Sequence, residues 1–392
     1  MTVCPSPLVR LIAFYLPQFH PIPENDAWWG KGFTEWTNVA KAKPLFPGHY
    51  QPHIPGDLGF YDLRVPETRA AQAEMARTYG IEGFCYWHYW FSGKRLLERP
   101  FNEVLKSGEP NFPFCLAWAN QTWTGIWHGA SDRILIEQTY PGIQDYQAHF
   151  YAVLSAFQDP RYTTCEGKPV FIVHRPAELP EPRRFTDLWR ELAVKTGLKG
   201  IYFLGIAGHR WSPNENGFDA SILDNPGVAL QCLTERPLPL PGKVWRKASR
   251  LCASRYKPML GLPTVIRYRD VMQCACPPLN EKFTQYPCVI PNWDNTPRSG
   301  ANGVVFHQSA PELFWIHFRQ ALEQSMHREL GKRFVFVKSW NEWAEGNYLE
   351  PDLRFGHQYL DVVREEVLGS SHGTSDREHD GLLVARGQAL DS

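Results

Sequence analysis

Phe334-Val335-Phe336-Val337-Lys338-Ser339-Trp340-Asn341-Glu342-Trp343-Ala344-Glu345-Gly346 is the stretch on which the reading of this chain turns. Its first four residues form a short apolar run, continuous rather than alternating. That is the pattern of a parallel strand covered on both faces. Two carboxylates, Glu342 and Glu345, follow at a spacing of three, framed by Trp340 and Trp343. Aromatic faces stack on sugar rings, and paired carboxylates do acid–base work on glycosidic bonds. A structural ion pair is the competing reading of the two acids. Tryptophans on either side make a dry and costly place to keep charges without a use.

Seven more apolar runs lie outward from this one, at 11–15, 83–87, 114–117, 170–173, 200–205, 220–223 and 288–291. Helical periodicity falls between them, at 66–79, 145–157, 184–196, 311–330 and 359–367. Pro66 sits where a helix starts, and Gly80 where one stops. Eight strands alternating with helices predict a single (β/α)8 TIM barrel, an α/β fold with long βα loops. A doubly wound open sheet is the alternative. It is disfavoured because no glycine-rich phosphate fingerprint follows the first strand.

The bulk composition removes several function classes. The 392 residues carry 41 basic and 41 acidic side chains, so no global field draws the chain to nucleic acid. Nine cysteines, an odd count, are scattered through the chain and several fall inside strand runs, which predicts buried free thiols in a reducing compartment. The Cys274-Ala275-Cys276 pair lacks metal-ligand spacing, and the histidines lack HExxH or a comparable cluster, so neither a metal nor another cofactor is expected. No signal peptide and no membrane-spanning run is read, and a cytoplasmic location is expected. The barrel is expected over 8–368, interrupted by a basic, proline-containing insertion at 236–269. That insertion holds nine Lys and Arg and no Asp or Glu. It reads as a solvated loop, or as a peripheral contact for phosphate-bearing or anionic-lipid partners. Residues 369–392, rich in Ser, Gly, Asp and His, read as a disordered tail.

Barrels keep their chemistry where strands end. The first strand leads to Tyr15 and His20, and its long loop to Trp36. The second ends in Tyr86, Trp87 and His88, and the third in Trp118, Asn120 and Trp123. The fourth ends at His174, the seventh at Trp293 and Asp294, and the eighth runs into Asn341, Glu342 and Glu345. Flat apolar rings beside hydrogen-bonding groups are the inventory of a carbohydrate cleft, and all of these except the weaker candidate Asp294 are taken as site residues. For Tyr86, Trp118, Trp293 and the histidines, packing in the core is the competing reading.

Several longer motifs carry a resemblance. Phe14-Tyr15-Leu16-Pro17-Gln18-Phe19-His20, Gly32-Phe33-Thr34-Glu35-Trp36, Gly48-His49-Tyr50-Gln51-Pro52-His53, Gly83-Phe84-Cys85-Tyr86-Trp87-His88-Tyr89-Trp90, and Trp340 to Gly346 followed by Tyr348-Leu349-Glu350-Pro351, resemble the WbsX-type family. These are glycoside hydrolase family 99-like domains found among bacterial surface-polysaccharide genes, and the likeness runs in register over residues 11–363. It implies a (β/α)8 barrel and metal-independent retaining chemistry on α-mannosides. By that resemblance Glu342 is the base toward the sugar's own 2-hydroxyl, giving a 1,2-anhydro sugar. Glu345 is then the acid that protonates the leaving oxygen. On a helical turn the two side chains share a face about 5–6 Å apart. That spacing permits retention, which needs roughly 5–5.5 Å, better than inversion.

One segment departs from the family pattern. Trp118-Ala119-Asn120-Gln121-Thr122-Trp123-Thr124-Gly125-Ile126-Trp127-His128-Gly129 has Gln121 where relatives carry a carboxylate. It has Gly125 and Ile126 for two arginines, and His128 for an acid. Altered substrate selection, a neutral sugar in place of a charged one, is the reading favoured because Glu342 and Glu345 are untouched. Impaired activity is the alternative. Three functions stay open: a glycoside hydrolase on surface polysaccharide, a glycosyltransferase of polysaccharide assembly, and a non-catalytic polysaccharide-binding protein. In each the partner is an oligo- or polysaccharide.

Overall fold

The computed structural model describes residues 8–125, 130–235 and 261–369. Most of the basic insertion (236–260), the tail from 370, and Ile126, Trp127 and His128 of the divergent loop lie outside the described residues. Eight parallel staves form one sheet. They are β1 (Arg10–Tyr15), β2 (Gly83–Phe91), β3 (Phe114–Trp118), β4 (Lys168–Val173), β5 (Tyr202–Ala207), β6 (Ala220–Leu223), β7 in two pieces (Gln285–Tyr286 and Cys288–Val289) and β8 (Phe334–Val337). β1 pairs with β2 on one side and β8 on the other. The first piece of β7 pairs with β6 and the second with β8. Pro287 joins the pieces; lacking an N–H, it cannot donate to a ladder, and the stave changes partner there. The sheet therefore closes as the (β/α)8 barrel that the run pattern predicts.

The staves twist at a side-chain period of two, so alternate residues face the barrel interior and the helices outside. Phe14, Trp87 and Phe336 meet inside, with Phe14 stacked on Trp87 at 4.9 Å. Outside, Trp189 of the helix Pro182–Lys195 is fully buried and packs on Phe171 of β4 at 4.7 Å. The helices Pro66–Thr78, Ile143–Phe157, Pro182–Lys195, Pro311–Met326 and Gln358–Leu368 occupy the expected segments, with ends moved by a few residues. Two strands shift: the one expected at 200–205 forms at Tyr202–Ala207, and the one at 288–291 starts earlier, at Gln285. No described helix is long and apolar enough to cross a membrane.

The cysteine expectation needs correcting. Cys232 and Cys274 form a disulfide, with Cα atoms 5.7 Å apart. They sit on Gly227–Glu235 and Tyr268–Ala275, two helices that pack together through Ala229, Val271 and Met272. The two residues are 42 positions apart in the chain, and only this helix pairing brings them together. Disulfides persist in oxidising surroundings, so the cysteines no longer argue for a reducing compartment. Cys85, Cys115, Cys165 and Cys288 are free and buried, as the strand runs suggest.

Candidate active site

The chain leaves β8 through Lys338 and Ser339 and makes a tight hairpin over the C-terminal mouth of the barrel. Asn341–Glu342 pairs antiparallel with Asn347–Tyr348, around a 3-10 turn at Trp343–Glu345. The helical turn expected for the two glutamates is thus the tighter 3-10 form, in which residues three apart are nearly eclipsed. Gly346 closes the turn at φ 59°, and a Cβ there would lie 2.9 Å from both the Cβ and the backbone nitrogen of Asp294. Only glycine allows that approach without displacing Asp294, whose N–H donates to the Glu345 carbonyl at 2.6 Å.

Side chains beneath fix this hairpin. Asn341 accepts from the Leu16 N–H (2.8 Å) and donates to the Leu16 carbonyl (3.1 Å) and Tyr61 Oη (3.3 Å), tying the hairpin to the end of β1. Trp340 and Trp343 are buried. They are part of the support, not platforms for sugar. Trp343 stacks on Tyr348 at 3.8 Å and donates to Glu350 Oε2 at 2.6 Å. Glu350 also accepts from Tyr61 Oη and Gln72 Nε2, and burial pushes its carboxyl up to about 7 against those bonds.

Arg298 gathers the carboxylates. It lies on the short helix Thr296–Ser299, which Asp294 anchors through its Oδ1 bonds to the Thr296 N–H and hydroxyl. Asp294 Oδ2 in turn accepts from His49 Nε2 and Gln51 Nε2, both at 2.7 Å. Burial works against the Asp294 charge, but the bonds from His49, Thr296 and Gln51 outweigh it and hold the carboxyl below its usual range. Arg298 Nη2 reaches Glu342 Oε1 at 2.6 Å and Glu35 Oε2 at 3.0 Å, and Nη1 reaches Glu345 Oε1 at 2.7 Å. Glu35 begins the helix Glu35–Lys41, under a Thr34 capping box, and is buried. Three carboxylates around one guanidinium leave an excess of negative charge in a nearly dry place. Burial first, then Glu345 and Glu35, push Glu342 up to about 7, although Arg298 opposes the shift. The same three acids hold the guanidinium firmly charged despite its own burial. Glu342 is thereby poised to exchange a proton near neutral pH, as acid–base work needs.

Glu342, Glu345, Glu35 and Arg298 open onto a cleft of about 530 Å³ at the C-terminal ends of the staves. Of the residues named from sequence, Trp87, Trp123, His174 and Trp293 also line this cleft. Tyr15, His20, Trp36, Tyr86, His88, Trp118, Asn120 and Asn341 do not. Tyr15 donates to Gln72 of the outer helix, Tyr86 packs on Phe101, and His88 pairs with His149 through their Nε2 atoms at 2.8 Å. Trp118 packs on His149 and Phe185, and His20 bonds back to the Pro17 carbonyl. Trp36 donates to the Tyr61 carbonyl and packs on Phe19. Asn120 staples the end of β3 to Arg175 just beyond β4, through both backbone groups of Arg175. These eight form the layer that holds the site. Glu35 and Arg298 are cleft residues that sequence reasoning did not single out. Glu35 had a signal, an acid inside an aromatic-rich loop after β1. Arg298, in Asn295-Thr296-Pro297-Arg298-Ser299, had none.

The profile described as glycosyltransferase WbsX matches residues 11–363. The chain belongs to the WbsX family. Two curated relatives, both described as uncharacterized protein WxcX from strains of Xanthomonas campestris pv. campestris, are each 38% identical, over 93% and 91% of this chain. This WbsX chain spans about half the length of those relatives, 51% and 49%. Among solved structures, a GH99 endo-alpha-mannosidase from Bacteroides thetaiotaomicron superposes with a TM-score of 0.52 at 13% identity. The match covers 91% of this chain and 96% of that one. A structure described as a glycoside hydrolase-like protein gives 0.51 at 13%, over 93% and 94%. At such identities the likeness is one of fold.

Proposed function

We propose that this WbsX chain is a metal-independent retaining glycoside hydrolase acting on α-linked residues of a bacterial surface polysaccharide. The observation that carries the reading is the Arg298 bridge. It holds Glu342 and Glu345 side by side on one guanidinium, in an aromatic-walled cleft at the catalytic end of a barrel. Close carboxylates suit retention, whereas inversion needs room for a water between them. The likeness to an enzyme titled endo-alpha-mannosidase supports the linkage class.

In the proposed reaction Glu342, as carboxylate, removes the proton of the 2-hydroxyl. That oxygen attacks the anomeric carbon as the glycosidic C–O bond breaks, and Glu345, as carboxylic acid, gives its proton to the departing oxygen. Water then opens the 1,2-anhydro sugar at the anomeric carbon, losing its proton to Glu345, while O2 regains one from Glu342. Two inversions leave the anomer retained. Arg298 fixes both carboxylates at neighbouring nitrogens, and Glu35 holds the guanidinium from behind. Trp87, Trp123 and Trp293 supply ring faces for sugars. The family's description as glycosyltransferases supports a second reading with the same first step, in which an acceptor hydroxyl replaces water. Incubation with α-linked oligosaccharides, with and without an acceptor, tests both. Hydrolysis by the native chain, abolished in Glu345→Gln with binding retained, is expected. Extension of the acceptor without hydrolysis would replace the first reading with the second.

A further inference from the structure

A cation on the cleft floor is left over from the chemistry proposed above. Lys338 is the first residue after β8; it lines the cleft and is partly buried. Among the described residues its ammonium has no ion pair and no hydrogen bond, while Arg298, a few ångströms from the acids, is fully engaged. Across the mouth, Arg175 lines the same cleft, exposed, with its backbone stapled by Asn120 and, among the described residues, its guanidinium without an ion pair. His174 lies in the field of both. Burial first, then Lys338 and Arg175, hold its imidazole well below the usual range, so at neutral pH it adds no charge but can donate a hydrogen bond. Asp224, after β6, is the acid on this side of the cleft, and it forms no ion pair with Lys338. Among the described residues the cleft thus holds, besides the acids gathered on Arg298, two cations without an ion pair, Lys338 and Arg175, that both act on His174, with Asp224 as a further lining carboxylate.

An ammonium drawn part-way out of water without a counterion is costly, and a sugar hydroxyl compensates it poorly. A charge-assisted bond to an anion compensates it well. We infer that Lys338 and Arg175 bind an anionic substituent of the glycan, a carboxylate or a phosphate, on a residue next to the one whose bond is broken. This rests on the reading of the cleft as a glycan site.

The test uses binding and cleavage separately. In the Glu345→Gln chain, calorimetry compares uronate-containing capsular oligosaccharides with their carboxyl-reduced forms, and phosphomannan oligosaccharides with their dephosphorylated forms. One anionic member is expected to bind about ten- to a hundredfold tighter than its neutral twin, with the gap shrinking at high salt. Which pair separates identifies carboxylate or phosphate. Adding Lys338→Met should bring that ratio close to one, and Lys338→Arg should keep most of it; thermal melts check that both fold. A ratio near one in both pairs, a ratio untouched by Lys338→Met, or no binding to any of the four overturns the inference. Cleavage by the native chain is scored independently. A Lys338-dependent preference without cleavage sinks the hydrolase reading alone, and cleavage without preference sinks this one alone.

Discussion

Replacing Arg298 with methionine leaves Glu35, Glu342 and Glu345 facing one another without the guanidinium that contacts all three at 2.6–3.0 Å. At an effective dielectric constant of about 20, a unit charge roughly 4 Å away is worth about 4 kcal/mol, or close to three pH units on a carboxyl. Water entering the truncated site screens part of this, so a shift of roughly two units is expected. The direction is fixed, because every carboxylate loses a stabilising cation and holds its proton to higher pH. With Glu342, the base, at about 7 in the native protein, the acid limb of kcat/KM should lie near neutrality. In Arg298→Met the whole bell should move up by about two units, and its peak should fall by roughly a hundredfold as the pair loses its alignment. Arg298→Lys separates the two effects. It restores most of the limb position but not the peak, because an ammonium cannot form the planar three-way bridge. The assay is initial-rate hydrolysis between pH 5 and 10 in a constant-ionic-strength buffer. A limb that moves by less than about half a unit, or moves downward, refutes the electrostatic reasoning.

Other outcomes follow from the same geometry. Glu342 and Glu350 are each pushed from 4.5 to about 7, so the folded chain holds protons that the unfolded chain has released. Their contribution to stability is complete below about pH 4.5 and is lost as pH rises through 7, at about 3 kcal/mol each. Urea unfolding of the native chain and of Glu350→Gln, compared from pH 5 to 8, should show that decline in the difference between the two; a difference that does not change with pH contradicts it. Trp118→Ala, in the support layer, should cost about 3–5 kcal/mol of stability, while Trp123→Ala, on the cleft wall and packed on Trp28, Tyr89 and Phe91, should weaken glycan binding about tenfold and cost less stability than Trp118→Ala. Equal effects on binding would erase the distinction between wall and support. Peptide mapping without reductant should recover Cys232 and Cys274 in one linked fragment. Reduction should lower stability by about 2–4 kcal/mol, and separate unlinked peptides would reject the pairing.

Much of the barrel was legible because its staves are short continuous apolar runs. Burial on both faces leaves little else for a parallel strand to be, and all eight fell within a few residues of their expected places. The same burial hid which residues face the cleft. Tyr86 and Trp87 are adjacent and equally aromatic, yet a period of two sends one to the outer helices and the other to the interior. Chain position alone does not set that parity when both faces are apolar. The glutamates were legible as a pair but not as a trio on one arginine. Arg298 reaches them from a four-residue helix after β7, a contact set by the fold and by no local pattern. The Cys232–Cys274 link was hidden for the same reason, since the two helices meet only after the barrel closes. Trp340 and Trp343 drew attention as sugar platforms, but they are the buried underside of the hairpin that aims the acids.

The most direct measurement of the central claim is time-resolved ¹H NMR of the native chain cutting an α-linked surface-polysaccharide oligosaccharide, with Glu342→Gln and Glu345→Gln run beside it. The account predicts that the first product signal is the α-anomer, ahead of mutarotation, and that both variants are silent. A β-anomer appearing first, or undiminished turnover in either variant, would contradict it.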